Sequence, residues 1–268
     1  MAVVELGRPD KDVVVITMNR PEALNALNQD MMDGLWGALE EVRRDTSCRV
    51  VILTGAGGAF CSGADRKEGM QAVPGDEERS YLGRIWGLQE YVSGFAVALT
   101  ELRQPVIAAI DGVAVGGGFG YALASDLRVA SDRARLGAVF MRAGLSNLDV
   151  GTSYFLPRLI GASKALEMML TARIVDAEQA DRLGLLSDLV PPERLLDRAL
   201  ELATEIAANS EFGVWQTKDA FWAGVDAPSL RAALKVEYRA QMVGMYLDDH
   251  DEAVASFREK RPPNWGRV

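Results

Sequence analysis

QPVIAAIDGVAVGGGFGYALASDLRVA, residues 104–130, is the stretch on which the reading of the fold turns. Pro105 stops any preceding helix, because its ring removes a backbone donor and crowds the turn before it. Val106 to Ile110 is a short unbroken apolar run, the pattern of a strand buried on both faces. Asp111 and Gly112 interrupt it, and glycines at 116, 117, 118 and 120 turn the chain into a helical stretch that ends at Ser125. Asp126 to Ala130 then resumes as a strand. This order of strand, turn, helix and strand recurs through the first 190 residues, which predicts stacked β-β-α units rather than one flat sheet.

Upstream, Val3 to Leu6 and Val13 to Met18 read as two strands joined by the polar turn Gly-Arg-Pro-Asp-Lys-Asp. Asn28 can cap a helix running to about Arg44, with Met31, Leu35, Leu39 and Val42 on one face. A strand is expected over Val50 to Thr54, a permissive loop over Gly55 to Gly58, and a long helix from about Asp76 to Arg103. Downstream of Pro191-Pro192 the pattern becomes helical, with helices expected near 193–209, 213–223, 228–245 and 249–260. The chain divides on this reading into an α/β core, residues 1–192, and a helical region, residues 193–268. No Pro-, Gly- or Ser-rich linker separates them, so the helices should pack on the core or on a neighbouring subunit.

Composition narrows the chemistry. With 268 residues, 49% of them hydrophobic, the chain can bury a large core. A net charge of −9 leaves no broad basic surface for nucleic acid, so any anionic ligand must be held locally. No apolar stretch approaches the roughly 20 residues of a membrane span. Cys48 and Cys61 show no paired spacing, and the start has no signal-peptide pattern, which points to a reducing cytoplasm. The single histidine, His250, lies in an acidic run and reads as part of a solvated helix start. No GxSxG elbow accompanies it, and no His or Cys recurs at metal-ligand spacing, so neither a serine triad nor a metal is expected.

Two glycine-bearing segments stand at strand ends: Gly58 to Asp65 (GAFCSGAD) and Gly116 to Gly120 (GGGFG). Glycine lets a main chain approach a ligand closely, and the first N–H groups of a helix have no intrahelical partner. Two such donors converging on one oxygen would stabilise an enolate, and one lost oxyanion donor costs about 3 to 4 kcal/mol of barrier. The plain alternative is that the glycines serve tight turns and close packing. A nucleotide-binding loop fits poorly, because neither GxxxxGK[ST] nor a GxGxxG at the first strand is present.

Four stretches in order, NRPEALNAL at 19–27, VVILTGAGGAFCSGAD at 50–65, the segment at 104–130 and LPRLIGASKALEMMLTARIVDAEQADRLGLLSDLV at 156–190, closely resemble the enoyl-CoA hydratase/isomerase (crotonase) family over nearly the whole chain. The resemblance implies an α/β fold, the crotonase-like spiral of β-β-α units, with a C-terminal helical region that forms trimers. It implies acyl-CoA thioester substrates and no separate cofactor, coenzyme A being part of the substrate. By the same resemblance the oxyanion donors are the N–H groups of Ala64 and Gly117, and Leu24, Ala64, Asp65 and Arg66 line the adenine and pantetheine side. Arg66 or Lys67 would add charge near the phosphates, although a solvated surface role suits both equally.

One departure separates this chain from the family's hydratases. Hydration needs a carboxylate to activate water and a carboxylic acid to protonate the α-carbon. The two positions where those hydratases carry glutamates are Gly120 and Phe140 here. The acid nearby is Asp149, in Leu148-Asp-Val-Gly-Thr-Ser-Tyr-Phe-Leu-Pro-Arg158, and an aspartate at this place resembles the family's dienoyl-CoA isomerases, ring-type enoyl-CoA isomerases and aryl-CoA dehalogenases. Set among Leu148, Val150 and Phe140, it would be partly desolvated and able both to take and to return a proton. The structural alternative is that Asp149 caps the helix beginning near Gly151. A dehalogenase needs an aromatic-rich pocket, of which Phe140 and Met141 are a thin version; Arg142 could hold an acidic substituent or form a surface ion pair. The sequence thus favours an enoyl-CoA isomerase, with a 2-enoyl-CoA hydratase using Asp149 or Glu68 as the alternative, and a thioester-binding member without efficient turnover as a third reading.

Overall fold

The computed structural model describes residues 2–70, 73, 75 and 78–267. Its centre is a six-stranded sheet of β1 (Val4–Asp10), β2 (Val13–Met18), β3 (Val50–Gly55), β4 (Val106–Ile110), β6 (Leu127–Ser131) and β9 (Asp188–Val190), paired in that order. β1 and β2 run antiparallel and the other pairings are parallel. A smaller sheet pairs β5 (Val113–Val115) with β7 (Arg135–Gly137) and β7 with β8 (Val175–Asp176).

The two sheets are linked by the spiral. β4 ends in the large sheet, the chain turns at Asp111-Gly112, and β5 begins the small one. Gly112 has φ +55°, and a Cβ there would lie 2.1 Å from the Gly58 carbonyl oxygen, so only glycine fits. β6 and β7 repeat the step. The first unit is irregular, since after β3 the chain reaches the small sheet through Cys61 alone, which bridges Ala114 of β5. Each unit then sends a helix back: α2 (Tyr81–Glu101), α3 (Gly117–Ala124) and α4 (Thr152–Ile160).

Helices cover both faces of the large sheet, which explains the unbroken apolar strands. On one face α1 (Gln29–Arg44) buries Met31, Met32, Leu35, Leu39 and Val42, joined by Phe95 of α2 and Phe119 and Tyr121 of α3. On the other face α7 (Leu195–Ala207) lays Leu195, Ala199 and Ala203 on Val13, Val15, Val50, Ile52, Ile107 and Val129. The chain between them supplies α5 (Ala162–Thr171) and α6 (Ala177–Arg182), and three further helices follow: α8 (Glu211–Val225), α9 (Leu230–Gly244) and α10 (Asp248–Glu259). α8 is tied to the core by Lys218, whose ammonium lies 2.7 Å from Asp126 and donates to the carbonyls of Leu99 and Gln104. α9 buries no residue fully, and Tyr238, Met242, Met245 and Tyr246 are exposed.

Most sequence expectations sit within a residue or two of these elements, and the Asn28 cap is present, its side chain accepting from the Met31 N–H at 3.0 Å. Three differ. β1 continues to Asp10 through residues read as a turn; as an edge strand it tolerates Pro9, and the turn shrinks to Lys11-Asp12. The helix expected from Asp76 begins at Tyr81, capped by Ser80, and Asp76 itself lies outside the described residues. α4 takes Gly151 as its N-cap with no side-chain bond, so Asp149 does not cap it. Among the described residues no helix is long and apolar enough to cross a membrane.

Candidate active site

The bridge between Cys61 and Ala114 brings the two glycine segments side by side. Cys61 donates its N–H to the Val113 carbonyl at 2.9 Å and accepts from the Val115 N–H at 3.0 Å. Past this bridge both chains turn at glycines packed against each other: a Cβ on Gly63 (φ +83°) would lie 2.9 Å from the Val115 oxygen and 3.3 Å from the Gly117 nitrogen. A Cβ on Gly118 would lie 2.3 Å from the Cys61 oxygen. Glycine is therefore required at both positions by backbone-to-backbone packing, and the same packing sets Ala64 beside Gly117. Leu27 completes the contact, pairing with Ala64 through hydrogen bonds to the Gly63 carbonyl and from the Asp65 N–H, while its side chain rests on Gly117.

Gly117 is the first residue of α3, so its N–H has no intrahelical acceptor. Among the described residues neither that N–H nor the N–H of Ala64 has a protein partner. Two unpaired donors at adjoining turns, one with the positive end of a helix behind it, form a place where negative charge on an oxygen would be favoured. The Cys61 thiol beneath them is no nucleophile, because burial pushes it up to about 12.

The turn that carries Ala64 is fastened from behind. The Asp65 carboxylate is buried and accepts from the N–H groups of Lys67 (2.9 Å) and Glu68 (3.1 Å), and it pairs with Arg20 at 3.1 Å. Those backbone donors first, and then Arg20, hold it below the usual carboxylate range. Arg20 also donates to the Ala26 carbonyl, and the wholly buried Asn25 donates to the carbonyls of Ala56 and Ala59 while accepting from the Arg20 N–H. The family resemblance set Asp65 on the coenzyme A side; its carboxylate is engaged inside the protein and fixes the turn. Leu24, left-handed at φ 51°, is exposed next to this turn, and its carbonyl accepts from Ser62. Ala64, Arg66 and Lys67 are exposed on it. Glu68, offered as an acid for hydration, is exposed, and its Oε2 pairs with Arg20 (3.1 Å) and accepts from Asn28 (2.5 Å).

The opposite wall comes from the segment between β7 and α4. Phe140 is half-buried, and a Cβ on Gly116 would be 3.9 Å from its ring. Gly120 stands one turn along α3 from Gly117, roughly 4.5 Å along the axis. A Cβ on Gly120 would fall 2.6 Å from the Val150 Cβ and 2.7 Å from the Val150 oxygen, so Val150 fills the room a side chain there would need. Val150 does so in a left-handed conformation, φ 46°, uncommon for a β-branched residue. Asp149 precedes it, half-buried. Its Oδ1 accepts from the Val150 N–H at 2.8 Å and from Gln89 of α2. The segment is pinned by buried Thr152, whose hydroxyl donates to the Asn147 and Asp149 carbonyls, and by buried Asn147, which accepts from the Met141 N–H and donates to the Met169 carbonyl. Arg142 donates to the Ala172 carbonyl at 2.8 Å, which accounts for its guanidinium without an acidic substrate group.

The structure thus brings Ala64, Gly117, Phe140 and Asp149 around α3. Sequence reasoning missed Arg20, Asn25, Leu27 and Gln89, and gave Val150 only as an apolar flank of Asp149. The first three lie inside the NRPEALNAL stretch, whose recurrence in the family was the available signal. Gln89 carried none.

A sequence model of the enoyl-CoA hydratase/isomerase family matches residues 8–267. A protein of Mycobacterium leprae named "Probable enoyl-CoA hydratase echA12" is 43% identical over 261 residues, covering 97% of this chain and 88% of its own. A structure described as a probable enoyl-CoA hydratase/isomerase from Mycobacterium abscessus superposes with a TM-score of 0.91 at 39% identity, over 98% of both chains. A monofunctional enoyl-CoA isomerase from Mycobacterium smegmatis superposes with a TM-score of 0.74 at 40% identity, over 87% of this chain and 99% of that one.

The overlap of Gly120 with Val150 predicts that Gly120→Ala destabilises the fold by about 1 to 3 kcal/mol, the cost of an added methyl in a filled space. Gly120→Glu should do more harm and should not create hydratase activity. Urea unfolding of the variants and assay with a 2-enoyl-CoA check both statements.

Proposed function

The chain belongs to the enoyl-CoA hydratase/isomerase family, and from that premise we propose that it is an enoyl-CoA double-bond isomerase in which Asp149 moves the proton. The observation that supports the reading is that Asp149 precedes Val150, which packs on Gly120 of the helix that begins at the free N–H of Gly117, while Gly120 and Phe140 can transfer no proton. The thioester oxygen would sit on the N–H groups of Ala64 and Gly117, which stabilise the enolate as charge develops on it. Asp149 would remove a proton from one end of the allylic system and return it to the other. A single carboxylate suffices because the reaction has no net water and no net proton.

Substrate binding on this reading uses the groove by Leu24, Ala64 and the Asp65 turn for the adenine and pantetheine, with Arg66 and Lys67 near the phosphates and Phe140 against the acyl group. Coenzyme A arrives as part of the substrate, and no other cofactor is required. The hydratase reading is favoured by the name of the Mycobacterium leprae relative; it would need a second acid, and Glu68 is engaged by Arg20 and Asn28.

The proposal extends to assembly. Phe221 of α8, Tyr238 and Met242 of α9, and Met245 and Tyr246 just past its end are exposed apolar residues, more than a solvated appendage needs, and a second copy of the chain would cover them in a trimer or a pair of trimers. Light scattering should give three or six chains; a stable monomer at micromolar concentration would remove this part of the account.

Asp149→Asn keeps the side chain's shape and removes its proton chemistry. Incubated with a panel of 2- and 3-enoyl-CoA thioesters in deuterated water, the parent should exchange carbon-bound hydrogen without gaining the mass of water. The variant should lose exchange by at least about a hundredfold with coenzyme A affinity nearly unchanged. Exchange at the parent rate in Asp149→Asn would refute the role of Asp149, and gain of water's mass by the parent would establish the hydratase reading.

A further inference from the structure

We propose that Gln89 is a positioning residue for Asp149, holding one carboxylate oxygen so that the other alone carries the proton. This rests on the reading of Asp149 as the shuttling base. Gln89 is in the middle of α2, and its Nε2 donates to Asp149 Oδ1 and, one turn along the same helix, to the Ser93 hydroxyl at 2.9 Å. An amide nitrogen has two hydrogens, and both are committed. Ser93 thereby fixes the rotation of the amide that faces Asp149. The same Oδ1 accepts the N–H of Val150, the next residue in the chain, at 2.8 Å. Two donors, one from a helix and one from the strained backbone of Val150, thus meet on one oxygen, whereas Oδ2 has no partner among the described residues.

The consequence is chemical asymmetry within one carboxylate. Donors on Oδ1 stabilise its share of the negative charge and fix the plane of the group, and a proton goes to the oxygen whose lone pairs are open. A base that must collect a proton at one carbon and deliver it at another gains from using one oxygen in a fixed plane, because proton transfer depends steeply on alignment. From α3 the titratable neighbour is Tyr121, whose hydroxyl is kept protonated by burial and donates to the Val92 carbonyl at 3.0 Å. On the segment of Asp149 itself, Arg142 is turned to the Ala172 carbonyl. Among the described residues no Lys or Arg pairs with Asp149, so the Gln89 amide is the side-chain donor that acts on it.

The test compares the saturated rate and the apparent affinity in hydrogen exchange into an enoyl-CoA thioester for the parent and Gln89→Met, with Asp149→Asn as control. Methionine keeps the helix propensity and approximate length of glutamine while removing the donor. Without that donor the carboxylate is free to turn out of its plane. The saturated rate should fall roughly tenfold, with the apparent affinity for the thioester unchanged. Gln89→Glu, which replaces the donor by a like charge, should lower the saturated rate at least as far. If Gln89→Met matches the parent in saturated rate and affinity while Asp149→Asn is inactive, the positioning role is wrong and the reading of Asp149 stands. If Asp149→Asn exchanges at the parent rate, the reading of Asp149 falls and the positioning role falls with it.

Discussion

Two backbone hydrogen bonds at one residue, Cys61 N–H to Val113 and Val115 N–H to Cys61, hold together everything on which the site depends. They splice the first, irregular β-β-α unit onto the second by a single bridge and force two turns into contact where no side chain fits. The glycines at 63 and 118 follow from that contact, because a methyl group at either would collide with backbone across the junction. The free N–H groups of Ala64 and Gly117 follow in turn. Cys61 is wholly buried beneath them, so the donors rest on packed core rather than on a loose loop.

The second wall depends on a trade between positions 120 and 150. Gly120 leaves room one turn above the Gly117 N–H, and Val150 enters it at the cost of a left-handed backbone. Such a conformation persists only where its surroundings over-determine it. Here Thr152 and Asn147 tie the preceding segment to its neighbours, and Gly120 admits the side chain. The absence of a glutamate at 120 and the placing of Asp149 beside α3 are therefore one structural fact. The space left by Gly120 seats the segment that bears Asp149.

Much of this was legible in the sequence, because the signals were local. The Asn28 cap, the apolar strand Val106 to Ile110 and the glycine entry into α3 each rest on a few adjacent residues with strong preferences. The edge character of β1 was not legible, since pairing to β2 decides whether Gly7 to Asp10 extends or turns, and pairing is not local. Asp149 was found as an acid near two apolar neighbours, but its freedom from helix capping depends on Gly151 taking the cap, a matter of backbone angle. Gln89 was beyond reach: α2 has no amphipathic pattern that marks one glutamine, and its partner is 60 residues away. Asn25 and Arg20 were visible only as letters of a shared motif, their work being long-range bonds to Ala56, Ala59 and Asp65.

The most direct test of the account is a crystal structure with a bound, unreactive 3-enoyl-CoA analogue. The account predicts the thioester oxygen about 3 Å from the nitrogens of both Ala64 and Gly117. It also predicts the open oxygen of Asp149 facing the α- and γ-carbons, with no other carboxylate in reach of the acyl group. A thioester oxygen held elsewhere, or a second carboxylate such as Glu68 turned onto the acyl carbons, would contradict it.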